Sequence, residues 1–317
     1  MLQTWVRLQR GVQPFRSVAF SARTLAFQIR PAARGQEYRY FEKGKGALPW
    51  YKQTRSKVAI GILTLGGGYY VSHLETVPVS GRVRFMAMSE EAELKIGEDH
   101  YRELMAQYRG KMLPQYHRDV QRVRNVGLRL VHSAKLDVLP WEFHVVQDPS
   151  PNAFVIPGGK VFVHTGMLQI MQDDDGIAAV LGHEIAHQLA RHVAEGLSYG
   201  VLFSLIRLAT MMVLDLGSLN DLFFKMILSL PHSRRHENEA DYIGLLLMAE
   251  ACFDPRAAEK VWQRMAAAGQ SGGIEFLSTH PSTKNRITNM QAWIPEAQKR
   301  REQNCDVHLE AFQRWIQ

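Results

Sequence analysis

The chain has only two cysteines, Cys252 and Cys305, among 317 residues. That excludes a thiolate metal cage and a densely stapled scaffold. The two stand 53 residues apart, and the default expectation is a pair of packed, unpaired thiols, with a disulfide as the alternative in an oxidising compartment. No internal repeat is present. No nucleotide-binding motif is present either, which points away from ATP-driven chemistry. Long uncharged runs are scarce: residues 58–74 lack Lys, Arg, Asp and Glu, and that length is the lower limit for a spanning helix. Acids are missing from the first 36 residues.

What is present is unevenly placed. Residues 1–57 carry 12 Lys+Arg against Glu37 and Glu42, a net of +10, so the rest of the chain stands at −3 although the whole is +7. No basic patch is left to bind nucleic acid. Residues 1–36 hold six arginines and no lysine, spaced by Leu, Phe, Val, Ala and Ser. This is the composition of a mitochondrial transit peptide, with a disordered basic arm as the alternative. Residues 37–57 then read as a basic matrix-side segment and 58–74 as a transmembrane helix. Five Lys+Arg lie in 43–57 and two in 75–89. The positive-inside rule therefore predicts a single-pass protein of the mitochondrial inner membrane whose main part faces the intermembrane space. Gly61 and Gly66 to Gly68 weaken that helix in water, and a buried strand or a Gly-rich tether is the competing reading.

The remainder reads as α+β and mostly helical. Helical periodicity covers 89–109 and 114–133, and residues 141–147 alternate like a strand. Residues 153–156 and 160–164 flank Pro157-Gly158-Gly159, a hairpin turn. Beyond 241 the pattern is helical to about 268, then a loop to 282, then helix again. A second apolar region, 199–230, is interrupted by Arg207, Asp215, Asp221 and Lys225. It is expected to form helices packed beside the site and partly facing lipid.

The most informative segment is His183-Glu184-Ile185-Ala186-His187. Two imidazoles at i and i+4 share one helix face and can reach one Zn2+, while the intervening glutamate can take a proton from an activated water. Gly182 and Ala186 leave room near a metal. A third ligand is required. Val193 stands where one class of zinc peptidase has a histidine, and His192 falls off the ligand face of a continuous helix, so it reads as a surface or packing residue. The alternative source is a later helix, where Glu237 and Asp241 stand at i and i+4. Glu237 can bind the metal and Asp241 can orient a ligand histidine through its free ring N–H, while Glu239 points elsewhere.

These motifs resemble the membrane-associated gluzincins related to the HtpX and CAAX-prenyl proteases. Three further stretches resemble that family: Asn152-Ala153-Phe154 with Pro157-Gly158-Gly159 and Val161-Phe162-Val163, Ser233-Arg234, and Ser278-Thr279-His280-Pro281-Ser282 with Arg286-Ile287. The match spans roughly residues 90–295, and the layout is most similar to the mitochondrial inner-membrane members. The resemblance implies a zincin-like metallopeptidase domain over 89–300, followed by a helical tail at 301–317. It implies one Zn2+ per chain on His183, His187 and Glu237, with Glu184 as the catalytic base. His280 is a candidate oxyanion donor or a gate over the metal, and Arg286 the alternate donor; a plain loop histidine and a surface arginine remain the other readings. Strand 160–164 (Val161, Phe162, Val163) would be an edge that pairs with extended substrate, or else an ordinary core hairpin. The implied activity is ATP-independent cleavage of membrane proteins in quality control and stress, including a fusion dynamin. The implied partners are protein substrates and the lipid bilayer, with homo-oligomerisation open. A related peptidase of another membrane and an inactive scaffold are the alternatives.

Overall fold

The computed structural model describes residues 54–214, 230–270, 276, 280 and 284–316. All of these fall within the unit Pro49–Gln317. The expected transit peptide and residues 37–53 lie outside the described residues, as do residues 215–229 of the second apolar region. In chain order the elements are α1 (Thr54–Ser72), β1 (Leu74–Thr76), β2 (Val83–Phe85), α2 (Glu90–Gln107), α3 (Arg118–Ser133), β3 (Glu142–Val146), β4 (Ala153–Ile156), β5 (Lys160–His164), α4 (Thr165–Met171), α5 (Asp174–Leu189), α6 (His192–Leu214), α7 (Leu230–Glu250), α8 (Arg256–Gln270) and α9 (Lys284–Ile316). The fold is mostly helical with small sheets, as expected. The short β1–β2 hairpin was not anticipated, because three-residue strands carry no readable alternation.

Helix α5 is the axis of the core. The Asp173 carboxylate caps it by accepting the Gly176 N–H at 2.7 Å, and Asp174 and Asp175 complement the helix dipole. From Gly176 to Ala186 every residue is buried. It packs on α3, α4, β4, α7 and α8. Its crossing with α7 is backbone on backbone: a Cβ added to Gly244 would lie 3.0 Å from Gly182 C and from His183 N. The room at Gly182 therefore admits helix α7 rather than the metal, and this sets His183 against the carboxylates of α7. Gly244→Val should cost about 1–3 kcal/mol of stability by overpacking, and urea unfolding would measure it.

The larger sheet has the order β3-β5-β4, with β3 parallel and β4 antiparallel to β5. Gly158 and Gly159, at φ +93° and +78°, make the β4–β5 turn, a conformation that excludes most other residues. Strand β5 is thus the middle strand, with both backbone edges paired, and Val161, Phe162 and Val163 are fully buried. A substrate cannot add there, so the expected substrate contact at these three residues is corrected. The far side of β3 is covered by residues 111–113, through Leu113 N–H to Val145 O at 2.8 Å and Gln147 N–H to Lys111 O at 2.7 Å. Among the described residues, the edge left without a neighbouring strand belongs to β4.

Three other expectations change. The 58–74 segment does form a helix, but α1 has 19 residues, four of them glycine. Among the described residues no helix is long and apolar enough to cross a membrane. Much of the outer face of α1 is nevertheless apolar and exposed, at Val58, Leu63, Leu65 and Val71, and α6 alongside exposes Val193, Leu197, Val201 and Ile206. Cys252 and Cys305 are not unpaired thiols but a disulfide with a Cα–Cα distance of 5.8 Å. Cys252 leaves α7 in a left-handed turn (φ 62°) that faces it to α9, which packs along α7. Helix α9 also runs unbroken through residue 300, joining the expected tail to the domain.

Candidate zinc centre

His183 and His187, one turn apart on α5, aim their Nε2 atoms at a common point, 3.1 Å from each other. Glu237 on α7 brings Oε2 to 3.4 Å from His183 Nε2 and Oε1 to 3.6 Å from His187 Nε2. His280 brings Nδ1 to 3.3 Å from His183 Nε2 and to 3.1 Å from both Glu237 oxygens. Ligands about 2.0–2.1 Å from a tetrahedral zinc are separated by about 3.3 Å, so these four donors fit the edges of one coordination tetrahedron. They form one cluster of potential metal ligands. His280 is held by Phe276, whose ring stacks on it at 4.5 Å and whose carbonyl accepts its N–H at 2.8 Å.

Glu184 stands beside this cluster without joining it. Its Oε2 accepts the Val155 N–H at 3.3 Å, while its buried Oε1 has no hydrogen-bond partner among the described residues and lies 3.6 Å from His280 Nε2. Burial raises its affinity for a proton above that of an ordinary glutamate. Burial opposes charge on Glu237 too, but hydrogen bonds from His183 and His280 hold it well below the usual carboxylate range. Burial alone would lower His183, yet Asp241 and Glu237 push it up to about 9. The centre is built to hold positive charge.

Asp241, the residue expected to orient a ligand histidine, lies with Oδ1 2.9 Å from His183 Nδ1. Arg286 is no surface residue. It is buried, grips Asp241 through Nε and Nη2 at 2.7 Å each, and reaches Glu237 Oε2 with Nη1 at 3.0 Å. Arg286 is thus committed to the two carboxylates, while His280 lies within the donor cluster. His192 is also corrected. The helix breaks at Ala190 and Arg191, the latter at φ 49°, so His192 folds back beside the site, buried, with Nδ1 2.9 Å from His187 Nδ1. Burial pushes its pKa down to about 4 despite Glu239. Glu239 points away from the metal, as expected, toward His192 and Arg82. The sequence offered a signal for this group, the Glu237-x-Glu239-x-Asp241 triplet, but not its partner on the hairpin.

A mostly helical α+β fold, with two helix-borne histidines, a glutamate between them and a third ligand from a later helix, defines a zinc metallopeptidase. The chain belongs to peptidase family M48, whose profile matches residues 117–294. It is 47% identical over 268 residues to the mitochondrial metalloendopeptidase OMA1 of Schizosaccharomyces pombe, covering 83% of this chain and 80% of that one. To the protein of the same name in Saccharomyces cerevisiae it is 41% identical over 293 residues, 85% of each chain. To the human metalloendopeptidase OMA1, mitochondrial, it is 32% identical, covering 80% of this chain and 53% of that one. These relatives place it among mitochondrial metalloendopeptidases.

Proposed function

We propose that the protein is an ATP-independent endopeptidase working at the mitochondrial inner membrane, with its catalytic unit on the intermembrane-space side. Its substrates are membrane proteins cleaved in quality control and stress, a fusion dynamin among them. The observation that carries the catalytic reading is the convergence of His183, His187 and Glu237 on one point beside Glu184 Oε1, which has no hydrogen-bond partner among the described residues. These three residues would hold the zinc, which when bound would polarise the scissile carbonyl and activate the attacking water. Glu184 takes the water's proton on Oε1 and hands it to the leaving amine. His280 lies within the same donor cluster and would have to swing aside to admit substrate.

Substrate adds to β4. The His164 N–H donates to Asn152 O at 2.8 Å, so alternation along the strand turns the backbone groups of Ala153 and Val155 outward, on the side of Glu184. The disulfide supports an oxidising compartment. The exposed apolar faces of α1 and α6 support membrane attachment, and the charge asymmetry around α1 supports the orientation. The test is zinc content and casein cleavage for wild type and Glu237→Ala, with and without chelator. Chelator-sensitive cleavage in wild type, with zinc and activity both lost in Glu237→Ala, is the expected result. Cleavage that survives the substitution would remove Glu237 from the ligand set.

A further inference from the structure

Zinc-binding histidines need a partner on the free ring nitrogen. His183 has a direct one, Asp241. His187 faces another imidazole instead, and what stands behind that imidazole is a continuous chain of side chains. His192 Nε2 lies 2.9 Å from Glu239 Oε2. Glu239 in turn accepts from Arg82 Nε at 3.0 Å and Nη2 at 2.7 Å, and from the Ser80 hydroxyl. Arg82 also forks onto Glu195 at 2.7 and 2.6 Å. The His192 ring is fixed by the His236 ring stacked on it at 4.3 Å and 12°. The left-handed Arg191 that starts the fold-back is itself tied to Glu93 Oε2 at 2.7 Å.

We propose that His192 is the positioning residue of the ligand His187, anchored by Glu239 and clamped by Arg82 and Ser80 of the hairpin that follows α1. The direction of every hydrogen bond is set by the metal. With Nε2 of His187 given to zinc, its Nδ1 carries the hydrogen and donates to His192 Nδ1, and His192 then donates its Nε2–H to the Glu239 carboxylate. The three acids of the α7 triplet thereby serve one centre: Glu237 binds, Asp241 orients His183, and Glu239 orients His187 through His192. His192, Glu195 and His236 also lie close enough together to suggest a second cation site. The Arg82 guanidinium on Glu195 and Glu239 already supplies positive charge there, so the cluster serves as an orienting network.

The proposal rests on His187 being a zinc ligand. Its test uses the full chain and the variants His192→Ala, His192→Gln and Glu239→Gln. Zinc affinity is read by competition with a chromophoric chelator, and the ligand field by the absorption of the Co2+-substituted protein. His192→Ala should weaken zinc about 10- to 100-fold, the usual effect of losing an outer partner, shift the Co2+ spectrum, and lower kcat at saturating zinc with KM unchanged. His192→Gln, whose amide can accept from His187 and donate to Glu239, should recover most of the affinity. Wild-type zinc affinity in a folded His192→Ala protein would overturn the relay. Should that variant fail to fold, the other two decide: weaker zinc in Glu239→Gln with near-normal binding in His192→Gln supports it, and unchanged zinc in Glu239→Gln overturns it. Full zinc affinity in His187→Ala would instead sink the ligand assignment beneath it.

Discussion

Glu184→Gln is expected to keep one zinc per chain and to lose cleavage by about 100- to 10,000-fold, the usual contribution of a positioned general base. The two halves of that result come from different atoms. The metal cluster consists of His183, His187, Glu237 and His280, so replacing Glu184 removes no ligand. The amide oxygen of glutamine can still accept the Val155 N–H that Glu184 Oε2 accepts now. What vanishes is the second oxygen, buried and without a hydrogen-bond partner among the described residues, and with it the ability to take a proton. Burial holds this carboxyl above the ordinary glutamate range, which suits a group that must receive a proton and release it again. Zinc content and casein cleavage measured side by side, with and without chelator, check it. Near-wild-type, chelator-sensitive cleavage by Glu184→Gln would remove Glu184 from the mechanism, and loss of zinc would make its role structural.

The parts of this centre that lie within one helix were legible in the sequence, and those that depend on a chain reversal were not. His183 and His187, and likewise Glu237 and Asp241, are set by the helical period alone. His192 was misplaced because the periodic reading continues α5 through Arg191, where the backbone turns left-handed. Whether strand β5 is an edge or part of a core hairpin stays open in the sequence, because alternation shows which residues are apolar but not which strand lies between the other two. The disulfide stands only as the alternative in the sequence because Cys252 and Cys305 meet only once α9 packs along α7. Arg82 belongs to a hairpin too short to leave a pattern. Arg286 reads as an alternate donor or a surface arginine because nothing in the sequence around it shows the two carboxylates it reaches on α7.

Arg286→Met should lower stability by about 3–5 kcal/mol, the cost of leaving a buried charge without its partner. Arg286 and Asp241 are each 2% exposed. Burial would raise Asp241, but the guanidinium beside it holds it below the usual aspartate range. Arg286→Lys should recover only part of the loss, because an ammonium cannot reproduce the two parallel hydrogen bonds to Asp241. The double variant Arg286→Met with Asp241→Asn should be more stable than Arg286→Met alone, since it removes the orphaned charge as well as its partner. Urea unfolding of the four proteins gives the comparison. A loss below about 1 kcal/mol for Arg286→Met, a typical surface pair, would show that the clamp adds little. The substitution should also reach the gate. Arg286 Nη1 lies 3.4 Å from the His280 carbonyl, so one guanidinium ties together the helix carrying Glu237 and Asp241 and the segment carrying His280. Loosening it should weaken the hold on His280 within the donor cluster while leaving His183 and His187 on α5 in place.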